Sequence, residues 1–286
     1  MGAIATWLRV VDVVLCLGVL AFSAGYARLL VKRPRERRAV FASAWLVIAV
    51  ALEIPLYVWG LPAVHHSLAE TYADSIIEAR ESWRLLSARH PEFRAALREM
   101  IGEIAQSHRS LDGILADLLP RMAPVQGTFI GGYLTVASDH AVVEYFDAMR
   151  EVLDQLAAVE PSACDALLVG DYKALAPAFV RLPNPVITRF SRAQEAAVVS
   201  GLNSPAPALS AGRRDEVLSV FASRLRLKYG EAQGNAVAAL MNGTSQSTTQ
   251  DSVCSALRVA MREVMEMESA DRADLIRTFL ISGDFT

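Results

Sequence analysis

The stretch LLVKRPRERRAVFAS, residues 29–43, places five cations and one glutamate between two long apolar runs. The first run covers residues 7–31 and contains three charged residues, and the second covers residues 39–61 and contains one. A helix needs about 20 apolar residues to cross the roughly 30 Å hydrocarbon core of a bilayer. The sequence therefore predicts a transmembrane helical hairpin in residues 1–62, with spans over about 7–31 and 39–61 and a connecting loop over 32–38.

The charge of this loop predicts the orientation of the hairpin. Residues 32–38 carry a net charge of +4, and short cationic loops stay on the cytoplasmic side of a membrane. The predicted location is the bacterial inner membrane, with both termini in the periplasm and the lipid bilayer as a partner. Two alternatives stay open. One is that the cationic run binds nucleic acid, which requires soluble flanking segments. The other is a cleaved signal peptide ending near AFSAGYA, residues 21–27, although the cations follow the apolar run, whereas in a signal peptide they precede it.

Composition separates the N-terminal part from the rest of the chain. The 286 residues are 53% hydrophobic and carry a net charge of −3. Residues 1–62 contain seven cations and three carboxylates, a net charge of +4, so residues 63–286 carry −7. An acidic surface is a poor partner for phosphate backbones, so we predict no nucleic-acid partner. The abundance of Ala and Arg is typical of a GC-rich bacterial source.

Glu53 is the charged residue within the second predicted span. It lies about 22 Å along the helix from Arg38, at ~1.5 Å per residue, which is about two-thirds of the way across the bilayer. A charge at that depth costs ~2–3 kcal/mol on insertion scales, so Glu53 is a candidate functional acid within the membrane. The alternative is that Glu53 is protonated or reaches the nearby outer interface.

After residue 63 the apolar residues recur with the 3.6-residue period of α-helices. The predicted fold is all-α, with a single multi-helical extracytoplasmic domain, residues 63–286, tied to the hairpin. Helix boundaries are predicted at Pro91, at Ser138 or Asp139, and at Gly230, because proline suits a first turn, serine and aspartate cap helices, and glycine ends them. The predicted helices cover about 64–90, 91–104, 111–119, 140–156, 164–170, 184–201, 217–229, 250–267 and 270–281, with a further short helix ending at Asn242 and a proline-rich connection over 203–212.

One apolar stretch, MAPVQGTFIGGYLTVA, residues 122–137, has almost no charge and carries Gly127 and Gly131 four residues apart. Such a pair of small residues lets helices approach closely. At 16 residues the stretch is short for a membrane span. It predicts a buried helix or a glycine-loosened turn in the core, and the alternative is a surface that dips into lipid.

Common catalytic signatures are missing from the sequence, including GxxxxGK[ST], GxSxG, HExxH and CxxC. The weak metal candidates are His140 and Glu144, one helical turn apart, with Asp139 or the remote His108 as a further ligand. The same residues read equally well as an exposed polar helix face, so we predict no metal and no cofactor. A second polar feature is an acidic helix face, which either is simply solvated or docks a basic partner. It consists of Glu70, Asp74, Glu78 and Glu81.

Cysteine usage predicts a disulfide between Cys164 and Cys254. The third cysteine, Cys16, falls inside the first predicted span, so these two form an even set where an oxidising compartment would pair them. Each lies early in a predicted helix, where the thiol pKa is lowered and oxidation is favoured. The alternative is two separate buried thiols that pack as small apolar residues.

These features favour a membrane-anchored envelope protein that is not an enzyme and that binds or scaffolds another protein through its helical domain. One alternative is a binding domain for a lipid or a small apolar ligand, in a cavity between helices beside the membrane. The other is a metal-dependent enzyme built on His140, Glu144 and Asp139, which requires those side chains to converge in a cleft.

Overall fold

A computed structural model describes residues 70–71, 73–107, 117, 120–122, 124–125, 127–168, 171–231 and 250–282. The two predicted spans, the cationic loop and Glu53 lie outside the described residues, as do His108 and the predicted helix ending at Asn242. Within the described part of the chain, no helix is both long and apolar enough to cross a membrane.

The described residues are mostly helical and include no strand, so the all-α prediction is confirmed for this part of the chain. Residues 73–79 are helical and are followed by ten helices with complete bounds. These are α1 Glu81–Arg89, α2 Pro91–Ser107, α3 Gly131–Leu134, α4 Asp139–Val159, α5 Pro161–Leu168, α6 Tyr172–Val180, α7 Asn184–Asn203, α8 Ala211–Tyr229, α9 Gln250–Met265 and α10 Ser269–Ser282.

The chain divides into two compact units, one of Met1–Asp74 with Arg98–Ile114 and the other of Ser75–Leu97 with Leu115–Thr286. In the described part of the first unit, the Nε of Arg98 donates to Oδ1 of Asp74 at 2.9 Å. The second unit contains the core described below, both paired cysteines, His140 and Glu144.

Helix ends in the second unit follow the signals in the sequence. Helix α2 begins at Pro91, and the Ser138 hydroxyl caps α4 by accepting from the amide of Ala141 at 3.4 Å. Helix α8 ends at Gly230, whose φ of 82° is in the region that glycine adopts without steric cost. Ser138 and Gly230 therefore act as the boundary residues that the sequence predicts.

Arg80 breaks the helix that the sequence predicts over about 64–90. Its backbone is extended, with φ −116° and ψ 122°, so residues 73–79 and α1 are separate helical segments. At the break, the Arg80 guanidinium lies 5.1 Å from the centroid of the Trp83 ring and donates to the Ser191 hydroxyl at 3.1 Å. The prediction of one continuous helix was wrong, and the contact with Ser191, 111 positions away, is one that the local pattern does not show.

Helix α4 is the centre of the core. Its apolar stripe recurs at helical spacing and faces α7, α9 and α10, as the sequence pattern predicts. Helix α10 is buried along most of its length, and its Phe279 meets Phe221 of α8 edge to face at 5.8 Å between ring centroids. The fully buried stripe residues of α4 are Val142, Phe146, Leu153 and Leu156.

The glycine-rich stretch 122–137 forms part of the core in its described portion. Ile130 and Leu134 are each 3% exposed, which supports the interpretation of a buried turn. A close backbone approach occurs at Gly201, and none occurs at Gly127. A Cβ on Gly201 of α7 would lie 2.1 Å from the carbonyl oxygen of Tyr133, whereas a Cβ on Gly127 would meet nothing within 4 Å.

Candidate functional site

The structure joins Cys164 of α5 to Cys254 of α9 by a disulfide. The two Sγ atoms are 2.11 Å apart and the two Cα atoms 5.7 Å apart. Cys164 is fully buried and Cys254 is 7% exposed, so the bond lies inside the packed interface of the two helices. It connects positions 90 residues apart in the sequence.

The weak metal candidates do not converge on one point. Oδ1 of Asp139 accepts from Nη2 of Arg277 at 2.7 Å, and Oε2 of Glu144 lies 3.9 Å from Nη2 of Arg189. His140 is exposed beside them on α4. Arginines occupy the places where a cation would have to bind, and within the described residues no three His, Cys, Asp or Glu side chains form a group that could hold a metal ion. The structure therefore gives the metal-enzyme interpretation no support.

The predicted acidic face is partly compensated by arginines of α2. Asp74 pairs with Arg98 in the first unit, and Glu78 pairs with Arg94 in the second. These acids already have cationic partners within the chain. The face is thus less suited to a basic partner than its sequence suggests.

A chain of hydrogen bonds that sequence analysis missed runs through His90 at the joint between α1 and α2. Its Nδ1 lies 3.2 Å from Oε1 of Glu92, and its Nε2 lies 2.8 Å from the Tyr133 hydroxyl. Glu92 has a pKa below its ordinary value, first because its own backbone amide donates to the carboxylate and then because of His90. The ring of His90 also packs on Phe129, with centroids 5.9 Å apart. This arrangement ties the helix joint to α3, and no signal links residues 90 and 133 in the sequence.

An open groove with an apolar lining runs along α8, and we name it the α8 groove. Its volume is about 660 Å³. Two of its apolar residues point outward from α8: Leu227 is 89% exposed and Val220 is 45% exposed. The small side chain of Ser223 lies between them along α8. The groove is lined by Ser219, Val220, Ser223, Arg224, Leu227, Lys228, Met267, Glu268 and Asp271.

Beneath one side of the α8 groove, Glu263 of α9 is completely buried and holds three side chains of α8. Its carboxylate accepts from Lys228 Nζ at 2.5 Å, from the Tyr229 hydroxyl at 2.7 Å and from Arg224 Nε at 3.2 Å. Burial raises the pKa of this carboxyl, but the hydrogen bonds from Lys228, Tyr229 and Arg224 outweigh burial, so the pKa lies below its ordinary value. The cluster fixes the last two turns of α8 and thereby the position of Leu227.

We expect Glu263→Gln to lower the free energy of unfolding by about 2–3 kcal/mol. The substitution removes a buried negative charge that pairs with Arg224 and Lys228, and the cost is moderate because these two cations are partly exposed. The matched control is Glu266→Gln, which touches the same Arg224 and Lys228 but is 45% exposed; its cost should stay below about 1 kcal/mol. The measurement is urea unfolding of the solubilised chain, followed by helical circular dichroism. Equal effects of the two substitutions would contradict the dominant role of Glu263.

The difference in unfolding free energy between the wild-type chain and Glu263→Gln should depend on pH, and the direction of the change follows from the pKa of Glu263. A carboxyl with a lowered pKa in the folded state contributes stability that is fully present above its unfolded pKa of about 4.3. That contribution is lost as the pH falls through the folded-state pKa. The stabilities of the wild-type chain and Glu263→Gln should therefore converge in acid and differ fully at neutral pH.

Comparison with known proteins returns no match for this chain among family models, curated proteins or solved structures. The functional conclusion consequently depends on the chemistry of the surfaces described above.

Proposed function

We propose that this chain is a membrane-anchored protein of the bacterial envelope whose helical part lies outside the cytoplasm and binds another protein chain through the α8 groove. The role is scaffolding, without catalysis. The observation that carries it is Leu227, a large apolar side chain that is 89% exposed on a helix held by ion pairs to the buried Glu263.

The compartment is supported by two independent features. The cationic loop 32–38 favours a cytoplasmic position for the turn of the predicted hairpin, which leaves the rest of the chain on the other side. The pairing of Cys164 with Cys254 is expected in an oxidising compartment, where disulfides persist. A cytoplasmic location would leave the pairing of the two cysteines without a reason.

Protein binding is supported by the form of the α8 groove. Burying a leucine and a valine side chain against a partner contributes about 1.5–3 kcal/mol each, and both face outward on the same side of α8. The small Ser223 between them allows a partner backbone to approach closely. Arg224 and Lys228 on one side and Glu268 and Asp271 on the other provide a polar rim of the kind that surrounds apolar contacts between proteins.

The test is a photoreactive amino acid placed at Ser223 of the full chain in its native membrane. Irradiation should produce a covalent adduct with a protein, because Ser223 is exposed and lines the groove. The control is the same amino acid at Val180, which is 47% exposed on α6 and does not line the groove. If Ser223 yields no protein adduct under conditions in which the probe reacts with solvent, the proposed function is wrong.

A further inference from the structure

The connection between α7 and α8, residues 204–210, is the longest stretch without regular secondary structure among the connections that the structure describes. Its sequence, SPAPALS, consists of small residues, two prolines and one leucine. Proline fixes its own φ and disfavours a helical conformation in the residue before it, so Pro205 and Pro207 favour an extended backbone. The sequence of the connection therefore keeps the chain extended between the two helices.

The backbone of this connection is accessible from outside. Most of its residues are exposed, including Pro207 and Ala208. The amide of Ala206 donates to the carbonyl of Val136 at 2.7 Å, whereas the amides of Ala208 and Leu209 have no hydrogen-bond partner among the described residues. Extended segments with available main-chain groups can pair with another chain as an added strand, which is how an endopeptidase binds its substrate. Exposed connections of small residues are also the preferred sites of proteolytic cleavage.

The bond between Ala208 and Leu209 is the most suitable one for hydrolysis. The bonds that precede Pro205 and Pro207 lack an N–H group and are poor substrates for most endopeptidases. A cleft that binds several residues on each side of the Ala208–Leu209 bond also needs the first turn of α8 to open. Gly212 lies exposed in that turn, and its low helix propensity makes such local opening easier.

Contacts elsewhere in the second unit join the two sides of this bond. The bond lies between Cys164 and Cys254 in the sequence, so the disulfide would connect the two products covalently. In addition, Nε of Arg258 in α9 donates to Asp154 of α4 at 2.6 Å. Both contacts attach α9 to the preceding helices without the help of the connection. The protein can therefore lose this peptide bond and keep its fold.

The whole α8 groove lies on one side of the same bond. Every residue that lines the groove, from Ser219 to Asp271, follows Leu209 in the sequence. The buried Glu263 and the α8 residues that it holds also follow it. A cut after Ala208 would leave the groove intact and place it on a different chain from the predicted membrane spans.

We propose that residues 204–210 form a processing site, and that the processed protein consists of two chains, one ending at Ala208 and one beginning at Leu209, joined by the Cys164–Cys254 disulfide. An endopeptidase outside the cytoplasm adds water across the Ala208–Leu209 bond. The C–N bond breaks, which leaves a carboxylate on Ala208 and an ammonium group on Leu209, and nothing is oxidised or reduced. The inference depends on the compartment in the proposed function and not on which protein occupies the groove.

The first experiment examines the full chain, tagged after Thr286, in its native membrane. A denaturing gel without reductant should show the tag at the mass of the undivided chain. With dithiothreitol the tag should move to a fragment whose first residue is Leu209. In the double variant Cys164→Ala with Cys254→Ala, that fragment should separate without reductant. A cut at another bond would overturn the inference.

A chain that stays undivided after reduction would also overturn the inference, and the state of Cys164 and Cys254 then decides what else fails. If the disulfide has formed, the proposed function stands. If both thiols are free, the compartment in the proposed function is wrong as well.

Matched substitutions test the choice of bond. Ala208→Asp places a charge where an enzyme with a small binding pocket for the residue before the cut has to accept it, so the yield of the tagged fragment should fall at least tenfold. Ala88→Asp adds the same charge at an exposed alanine of α1 and should leave the yield unchanged. A fragment that begins at Leu209 and is as abundant in Ala208→Asp as in the wild-type chain would contradict the proposed site.

A second experiment uses elastase, whose small binding pocket selects small residues before the cut, on the purified full chain in detergent. The first cut should follow Ala208. Gly212→Ala should slow this cut about three- to fivefold, because cleavage tracks the population in which the first turn of α8 is open. A first cut at another alanine, or an equal rate in Gly212→Ala, would overturn the inference and leave protein binding by the α8 groove untouched.

Discussion

Gly201→Ala should lower the free energy of unfolding by about 3 kcal/mol, at the upper end of the range for overpacking a core. The added methyl group would lie 2.1 Å from the carbonyl oxygen of Tyr133, 2.9 Å from its carbonyl carbon and 3.2 Å from its Cα. All three atoms belong to the backbone, so a side-chain rotation cannot remove the clash. Either α7 or the segment around α3 has to move.

Neither segment can move freely, because hydrogen bonds tie them together on both sides of Gly201. The amide of Ser138 donates to the Ser200 hydroxyl at 3.0 Å, and the amide of Ala206 donates to the carbonyl of Val136 at 2.7 Å. Separating the backbones enough to fit a methyl group would break some of these hydrogen bonds, which adds to the cost of the clash.

The matched control is Gly212→Ala. Gly212 is an exposed residue in the first turn of α8, and a Cβ there would meet nothing within 4 Å. Alanine has the higher helix propensity, so the substitution should leave the stability unchanged or raise it by up to about 1 kcal/mol. Urea unfolding of both variants gives the comparison. A Gly201→Ala variant as stable as Gly212→Ala would show that α7 and α3 do not approach as closely as described.

Gly201 also shows which part of the fold could be predicted from the sequence. Its role as a helix stop was inferred from local preference, yet α7 continues to Asn203 and the glycine is needed for a close backbone approach. The partner, Tyr133, is 68 positions away in the chain. Helical periodicity and capping residues can be recognised in the local sequence. A steric requirement between distant segments leaves no signal in the local sequence.

Helix α6 was not predicted, and the reason is local. Its sequence, YKALAPAFV, contains Pro177, which removes a backbone donor and usually ends a helix. In the structure α6 continues through Pro177 to Val180, and its start is fixed by Asp171, which accepts from the amide of Ala174 at 3.0 Å. Leu175 and Ala178 pack into a core cluster with residues of α4 and α5. Burial of this apolar face offsets the cost of the proline.

The α8 groove was likewise invisible to sequence analysis. Val220 and Leu227 fit the pattern of an ordinary amphipathic helix, and only the packing of α9 and α10 shows that they remain outside the core. In the sequence, Glu263 looks like an ordinary surface glutamate. Its burial becomes evident only in the structure, where Arg224, Lys228 and Tyr229 surround it. In contrast, Cys164 and Cys254 could be paired beforehand, because counting cysteines outside the predicted span left a single combination.

Loss of that disulfide is the second large effect that we expect. In the chain-entropy model, a bond that closes a loop of about 90 residues stabilises the folded state by about 4–5 kcal/mol. This is a large share of the ~5–15 kcal/mol typical of a folded domain. The double variant Cys164→Ala with Cys254→Ala should therefore unfold at a much lower urea concentration than the wild-type chain. The control is Cys16→Ala, in the first predicted span, which should leave the unfolding of the helical part unchanged.

The structure also predicts where the double variant loosens first. Helix α9 is held near its start by Cys254, in its middle by Arg258, whose Nε donates to Asp154 of α4 at 2.6 Å, and near its end by the buried Glu263. Without the disulfide, the middle and end contacts remain. Hydrogen exchange should accelerate most in the first turns of α9 and in α5, and least around Glu263. Uniform acceleration along α9 would contradict this order.

The same bond tests the proposed compartment when it is mapped by mass spectrometry without reduction, on protein taken from its native membrane. We expect a peptide pair linked through Cys164 and Cys254, together with activity of a periplasm-specific reporter fused after Thr286. Free thiols with an inactive reporter would place the helical part in the cytoplasm and overturn the orientation inferred from loop 32–38. Free thiols with an active reporter would leave the orientation intact and show that two buried, adjacent cysteines escape oxidation. The stability difference between the wild-type chain and the double alanine variant would then shrink to the cost of the two lost sulfur atoms.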